Sequence, residues 1–282
     1  MRLMRVGSPG SERPVIVDRD GRARDLSGVV KDIGRDLLAS NLAALANVDP
    51  HSLPLIEPGE RIGVPLASIG KMICIGLNYS DHAAESGMPI PKEPILFTKA
   101  TSAICGPNDD VLLPPGALKC DWEVELGIVI GRECRYAVLE DAMQHVAGFC
   151  IVNDVSEREY QLERGGQWDK GKGCDTFGPV GPWLVSVAEA GDWSNLDLWL
   201  DVNGRRMQTG NTRHMIFNVP FLVHYVSQFV SLQPGDIIST GTPPGVGMGV
   251  KPPVWLKEGD VITLGIKGLG EQRQNVRRYQ AR

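Results

Sequence analysis

Several features that would quickly assign a protein are missing from this chain. No apolar run is long enough to span a bilayer: the most apolar stretch, Val124–Ile130, is short and interrupted by Glu125. The opening residues, MRLMRVGSPG, lack the apolar core of a secretory signal. A cytoplasmic protein with no membrane partner is therefore expected. The six cysteines (Cys74, Cys105, Cys120, Cys134, Cys150 and Cys174) never fall at C-x-x-C spacing and have mostly apolar neighbours. That excludes a zinc site or a disulfide frame and leaves reduced packing residues. Basic runs are also lacking, and the net charge is −5, which argues against a nucleic-acid partner.

What the chain does have is glycine and proline, 33 and 20 in 282 residues, a sign of many turns and short strands. Residues 1–68 read as a small N-terminal domain. Arg13–Val17 and Ala23–Leu26 form a strand pair around an Asp20-Gly21 turn, and Gly34–Ala46 has Leu37, Leu38, Leu42 and Leu45 on one helical face. The proline-rich stretch Pro50–Pro65 reads as a linker into a catalytic domain, residues 69–282. There, strands are expected at Lys71–Ile75, Ile95–Thr98, Val124–Ile130, Gly148–Val152, Leu196–Val202 and Ile237–Thr240, with a hairpin turn at Asn203-Gly204. Helices are expected at Ser80–Glu85, Leu139–Ala147, Ser156–Arg164 and Val219–Phe229. Strands and helices do not alternate, so the fold class is α+β, mainly β, and neither a Rossmann sheet nor a βα barrel.

The chemistry concentrates in a few stretches. In Asp121-Trp122-Glu123-Val124-Glu125-Leu126-Gly127, a strand puts Glu123 and Glu125 on one face. Buried side by side, two carboxylates repel, and a divalent cation would relieve the conflict. Two surface glutamates explain this stretch equally well. Asp154, at the end of the apolar run Phe149–Asn153, tips the balance, since Ser156 can cap the following segment in its place. Three hard oxygen donors suit Mg²⁺ or Mn²⁺, with Ca²⁺ as a substitute; zinc would call for His or Cys.

His82 and Glu85 lie three apart on a short helical segment, which makes them neighbours. A carboxylate beside an imidazole fixes its tautomer and raises its basicity, as a water-activating base requires, although such a pair is more often a surface pair. Gly166, Gly171 and Lys172 satisfy the start of a phosphate-binding loop, but Gly173 stands where Ser or Thr is needed and Pro179 spoils the following helix. Gly245-Val246-Gly247-Met248-Gly249 imitates a dinucleotide turn, but Lys251-Pro252-Pro253 prevents its helix. Both read as loops that let backbone approach a ligand, with Lys170 or Lys172 at hand for an anion.

In order, GLNYSDHAAE, DWEVELGIVIG, VNDVSEREYQ, KGKGCDTFGPVGP and ISTGTPPGVG resemble the fumarylacetoacetate hydrolase family, from Lys71 to the C-terminus. The resemblance implies a mixed β-roll catalytic domain, a homodimer, and a small oxo-acid substrate. It assigns Glu123, Glu125 and Asp154 to the metal, and His82 and Glu85 to water activation on a segment that closes as a lid. Lys172 and Gln161 become active-site residues, and Thr242 a contact for the substrate carboxylate. A tyrosine that some members carry after the glutamine has no counterpart, since Gly165 falls near its place. The QLERGGQWDKGKG stretch is similar to bacterial ureidoglycolate lyases and hydrolases of diketo-deoxy sugar acids. The activity implied is metal-dependent C–C hydrolysis of a 2,4-dioxo acid. The alternatives are ureidoglycolate lyase, or decarboxylase or tautomerase chemistry on a 2-oxo acid such as oxaloacetate.

Overall fold

A computed structural model describes residues 1–85 and 87–280; Ser86, in the lid-like segment, and Ala281 and Arg282 lie outside the described residues. The mainly β, α+β architecture expected from the sequence is the one that forms. The larger sheet runs in the order Ala23–Asp25, Arg13–Val17, Arg2–Val6, Gly178–Ser186, Val146–Asn153, Val124–Ile130, Ile237–Ser239, Met72–Gly76, Ile95–Lys99, with Ile104–Cys105 added beside Gly178–Ser186. The smaller sheet joins Arg205–Asn211, Asp197–Val202, Val261–Ile266, Gly270–Arg278 and Val111–Leu113. Its first hairpin turns on Asn203 and Gly204, both with positive φ (53° and 76°), as a primed turn demands.

The alternation of strand side chains divides the interior in two. Leu126, Ile128, Ile130, Phe149 and Ile151 face the smaller sheet and the Val219–Ser227 helix, packing with Leu198, Leu200, Leu222 and Leu264. Val129, Cys150 and Val152 face the other way, toward Leu3, Ile16, Leu26, Leu37 and Leu38. Glu123, Glu125 and Asp154 have the same parity as this second set. Antiparallel register pairs Glu125 with Val152 and Val124 with Asn153, which brings Asp154 alongside Glu123.

Some elements differ from expectation. Arg2–Val6 is a strand that the sequence reading passed over, and it pairs with Gly178–Ser186. Residues 1–68 thus share a sheet and a core with the rest of the chain; their status as a separate unit is a proposal about how the protein assembles. The Pro50–Pro65 stretch is tied down along its length, through bridges Arg24–Leu55 and Val6–Ile62 and by Arg61 binding Glu12 and Asp109 at 2.9 and 2.6 Å. The Gly34–Ala46 segment breaks where Asn41 and Leu42 turn to positive φ, yet all four of its predicted leucines are buried. Leu139–His145 is a 3₁₀ helix. The helix expected over Ser156–Arg164 is instead a strand pair, Ser156–Glu157 with Cys120–Asp121, and then a π-helical turn, Glu159–Glu163. Close packing accompanies this shape: a Cβ on Gly171 would stand 2.2 Å from the Glu157 carbonyl and 2.6 Å from the Gln161 nitrogen. All six cysteines are free, and burial pushes the Cys150 thiol up to about 12.

A candidate active site of carboxylates, buried cations and an oriented imidazole

Glu123, Glu125 and Asp154 bring carboxylate oxygens within 4.8 Å of one another, and all three residues are buried. Two long strands fix them: Glu123 immediately precedes Val124–Ile130, Glu125 lies within it, and Asp154 follows Val146–Asn153. The Asp154 amide donates to the Glu123 carbonyl at 2.9 Å, locking the two ends together.

Around the trio stand three buried cations. Lys172 Nζ donates to Glu123 Oε2 at 2.6 Å and to Asp154 Oδ2 at 2.7 Å. Lys99 Nζ donates to Asp154 Oδ1 at 2.5 Å. Arg158 donates to Glu123 Oε1 at 2.5 Å, Asp121 Oδ2 at 2.8 Å and Gln161 Oε1 at 3.0 Å. Lys99, Arg158 and Asp121 were not singled out from the sequence. For Lys99 a signal exists, since it shares a strand face with buried Phe97.

The electrostatics are unequal. Burial works to raise the Glu123 carboxyl, but Arg158 and Lys172 outweigh it and hold it down to about 2. Burial, Asp154 and Glu123 push Glu125 far above the usual carboxylate range, because its own partners are neutral: Ser239 Oγ at 2.5 Å and the Gly241 amide at 3.0 Å. Burial would lower the Lys172 ammonium, yet Asp154 and Glu123 raise it, so it stays charged. Counting Asp121, four carboxylates thus face three cations, and the carboxylate left over is Glu125. A divalent cation held by Glu123, Glu125 and Asp154 would supply the missing positive charge. The all-oxygen donor set fits Mg²⁺ or Mn²⁺.

His82 and Glu85 occupy the short helix Ser80–Glu85, with His82 Nδ1 3.1 Å from Glu85 Oε2. The carboxylate only accepts, so Nδ1 carries the hydrogen, and in the neutral ring the lone pair falls to Nε2. Glu85 also accepts from the Gly245 amide, at 3.1 and 3.2 Å. The helix is rooted by Asn78, whose side chain donates to Phe217 O and Thr240 O and accepts from Phe217 N.

One cavity of about 430 Å³ joins these parts. His82, Glu85, Glu123, Glu125, Gln161, Lys172 and Thr242 all line it, with Phe97, Trp168, Leu162, Met88 and Met248 as apolar walls. Arg158 takes the Gln161 amide oxygen, which leaves its NH₂ for a ligand. The Thr242 hydroxyl is already committed, donating to Val124 O at 2.9 Å and accepting from Gln208 at 2.8 Å. Of its polar atoms, the main-chain amide is then the donor Thr242 has for a substrate carboxylate.

Comparison with known proteins places this geometry. Residues 71–277 match the family profile described as fumarylacetoacetate (FAA) hydrolase C-terminal. A Burkholderia multivorans protein, whose name goes no further than a provisional hydrolase, is 59% identical over 279 residues, 98% of this chain and 99% of its own. The solved fumarylacetoacetate hydrolase of Exiguobacterium antarcticum is 34% identical with a TM-score of 0.88, over 99% of this chain and 100% of that one. Maleylpyruvate hydrolase of Sphingobium sp. SYK-6, solved with manganese(II) and pyruvate, is 30% identical with a TM-score of 0.83, again over 99% and 100%. The chain belongs to the fumarylacetoacetate hydrolase family and is an enzyme of it.

Proposed function

We propose that this family member is a divalent-metal-dependent hydrolase that cleaves the C3–C4 bond of a small 2,4-dioxo acid, of the acylpyruvate or diketo-deoxy sugar acid type. One observation carries the reading: two carboxylates of the buried trio, Glu123 and Glu125, and a carboxylate-oriented imidazole line the same cavity. Mg²⁺ or Mn²⁺ held by Glu123, Glu125 and Asp154 would supply Lewis-acid polarisation of the substrate's carboxylate and 2-oxo oxygens. His82 Nε2, with Nδ1–H anchored on Glu85, takes a proton from the water that adds to C4. The Gln161 amide and the remaining N–H of Lys172 donate to the oxyanion that forms there, while the Thr242 main chain receives the substrate carboxylate. As the C3–C4 bond breaks, its electron pair passes to the C2–C3 enolate. The proton held by His82 then returns to C3, releasing pyruvate and a carboxylic acid. We assign the protein to the cytoplasm as a homodimer, a state that light scattering would register as twice the chain mass.

The deciding experiment incubates the enzyme with Mn²⁺ or Mg²⁺ and, separately, acetylpyruvate, a diketo-deoxy sugar acid, ureidoglycolate and oxaloacetate. Metal-dependent release of pyruvate from a dioxo acid is expected. Turnover of ureidoglycolate or oxaloacetate alone would replace hydrolysis with lyase or decarboxylase chemistry.

A further inference from the structure

The base and the metal ligands lie on different elements, so something must hold them in register. The hydrogen bonds trace how. Asp121 is fully buried, two residues before Glu123. Its Oδ1 accepts from the Gly247 amide at 2.6 Å and its Oδ2 from the Met248 amide at 3.1 Å, while Oδ2 also takes Arg158 Nε at 2.8 Å. The adjacent Trp122 donates its indole N–H to the Gly245 carbonyl at 3.1 Å. Gly245, in turn, gives its amide to Glu85. The loop has little freedom of its own: Gly245 sits at φ 99°, and a Cβ there would meet the Met207 carbonyl at 1.9 Å. An unbroken line therefore runs from Glu123 through Arg158 and Asp121 to the Gly245–Met248 loop, and from that loop to Glu85 and His82.

We propose that Asp121 is a positioning residue for the His82–Glu85 pair, tying the Gly245–Met248 loop to the strand that bears the metal ligands and thereby fixing where Glu85 holds the imidazole. The kinetic half of the claim rests on the reading in which His82 activates water; the structural half does not. Asp121 does not itself line the cavity, and its buried carboxylate is spent wholly on that loop, on the following amide and on Arg158.

The test compares Asp121→Asn, Glu85→Gln and the double variant, with Trp122→Phe as a second, milder cut in the same line and His82→Ala as the control. With Mn²⁺ and acetylpyruvate, Asp121→Asn is expected to lower kcat by roughly 10–10²-fold with KM within about twofold, the usual loss for a group that orients another. In the Glu85→Gln background the same change should lower kcat by less than about threefold, because both act on one element. Hydrogen exchange on the full chain should show faster exchange at Ser80–Glu85 in Asp121→Asn and in Trp122→Phe. Multiplying losses in the double variant, or unchanged exchange at Ser80–Glu85 in both single variants, overturns the proposal. An His82→Ala enzyme as fast as wild type overturns the water-activation reading instead, and the exchange data then decide the positioning claim alone.

Discussion

The carboxylate cage and the His82–Glu85 pair face the same cavity but are built in opposite ways. Every cage residue sits in or beside a strand of the larger sheet, is buried, and is gripped by several partners at once. The imidazole rides on a six-residue helix, with 12% of its side chain exposed and Glu85 at 28%, and each leans on few contacts. A cation needs fixed, desolvated oxygens, and long paired strands provide them. A base must meet water and substrate, and a short helix hung between loops leaves room for both. The contrast makes a general claim: cage changes should damage stability, binding and turnover together, and base changes should damage turnover alone.

Asp154→Ala is the severest way to test the first half. It strips Lys99 of its carboxylate and leaves Lys172 with Glu123 alone, and leaving a buried charge unpaired costs about 3–5 kcal/mol. Denaturant melts should show that loss with the fold surviving, while calorimetry shows no Mn²⁺ binding and turnover disappears; wild-type Mn²⁺ affinity would break the cage assignment. His82→Ala tests the other half. A drop in kcat of roughly 10²–10⁴-fold is expected, with Mn²⁺ affinity and melting midpoint held. If oxalate binding vanished as well, the histidine would belong to the cage. Next in size is the metal itself: Mn²⁺ at a hundredfold excess over its Kd should add about 2.7 kcal/mol over the chelator-treated protein, in wild type and His82→Ala alike. Equal melts with and without Mn²⁺ would remove the distinction. The smallest change is Ser80→Ala, which deletes one exposed bond to the His214 carbonyl at 3.2 Å. A loss of about 0.5 kcal/mol and a change in kcat below about threefold would show that the helix is anchored chiefly by Asn78.

The contrast also explains what could be read in advance. Val124–Ile130 forms with the expected bounds, because a strand buried on both faces announces itself as an apolar run. Strand parity placed Glu123 with Glu125, and the structure brings Asp154 to them. The cations were harder to see. Lys172 was legible in its glycine-rich motif, but Lys99 looks like any surface lysine until the sheet folds over it, and Arg158 reaches Glu123 from the end of Ser156–Glu157, a strand where a regular helix was expected. Gly171 packs closely against the π-helical turn from just beyond it in sequence, a contact that no hydrophobic periodicity reports. Asp121 was visible only as a letter in a motif; its loop partners, Gly247 and Met248, lie more than a hundred residues away.

The pairing of Arg2–Val6 with Gly178–Ser186 has a consequence for how the protein comes into being. During synthesis Arg2–Val6 lacks that neighbour until Gly178–Ser186, far along the sequence, has been made. Arg13–Val17 and Ala23–Asp25 can close on it as a local ribbon, but a ribbon of this size is marginal without a sheet to lie on. Loop-closure entropy favours the nearby pairs first, Val124–Ile130 with Val146–Asn153 and then Gly178–Ser186. By the same argument the amino-terminal ribbon would dock after them, and until then Leu3 and Ile16 on one side and Val129 and Cys150 on the other would stay uncovered, the interval in which a nascent chain is most exposed to aggregation.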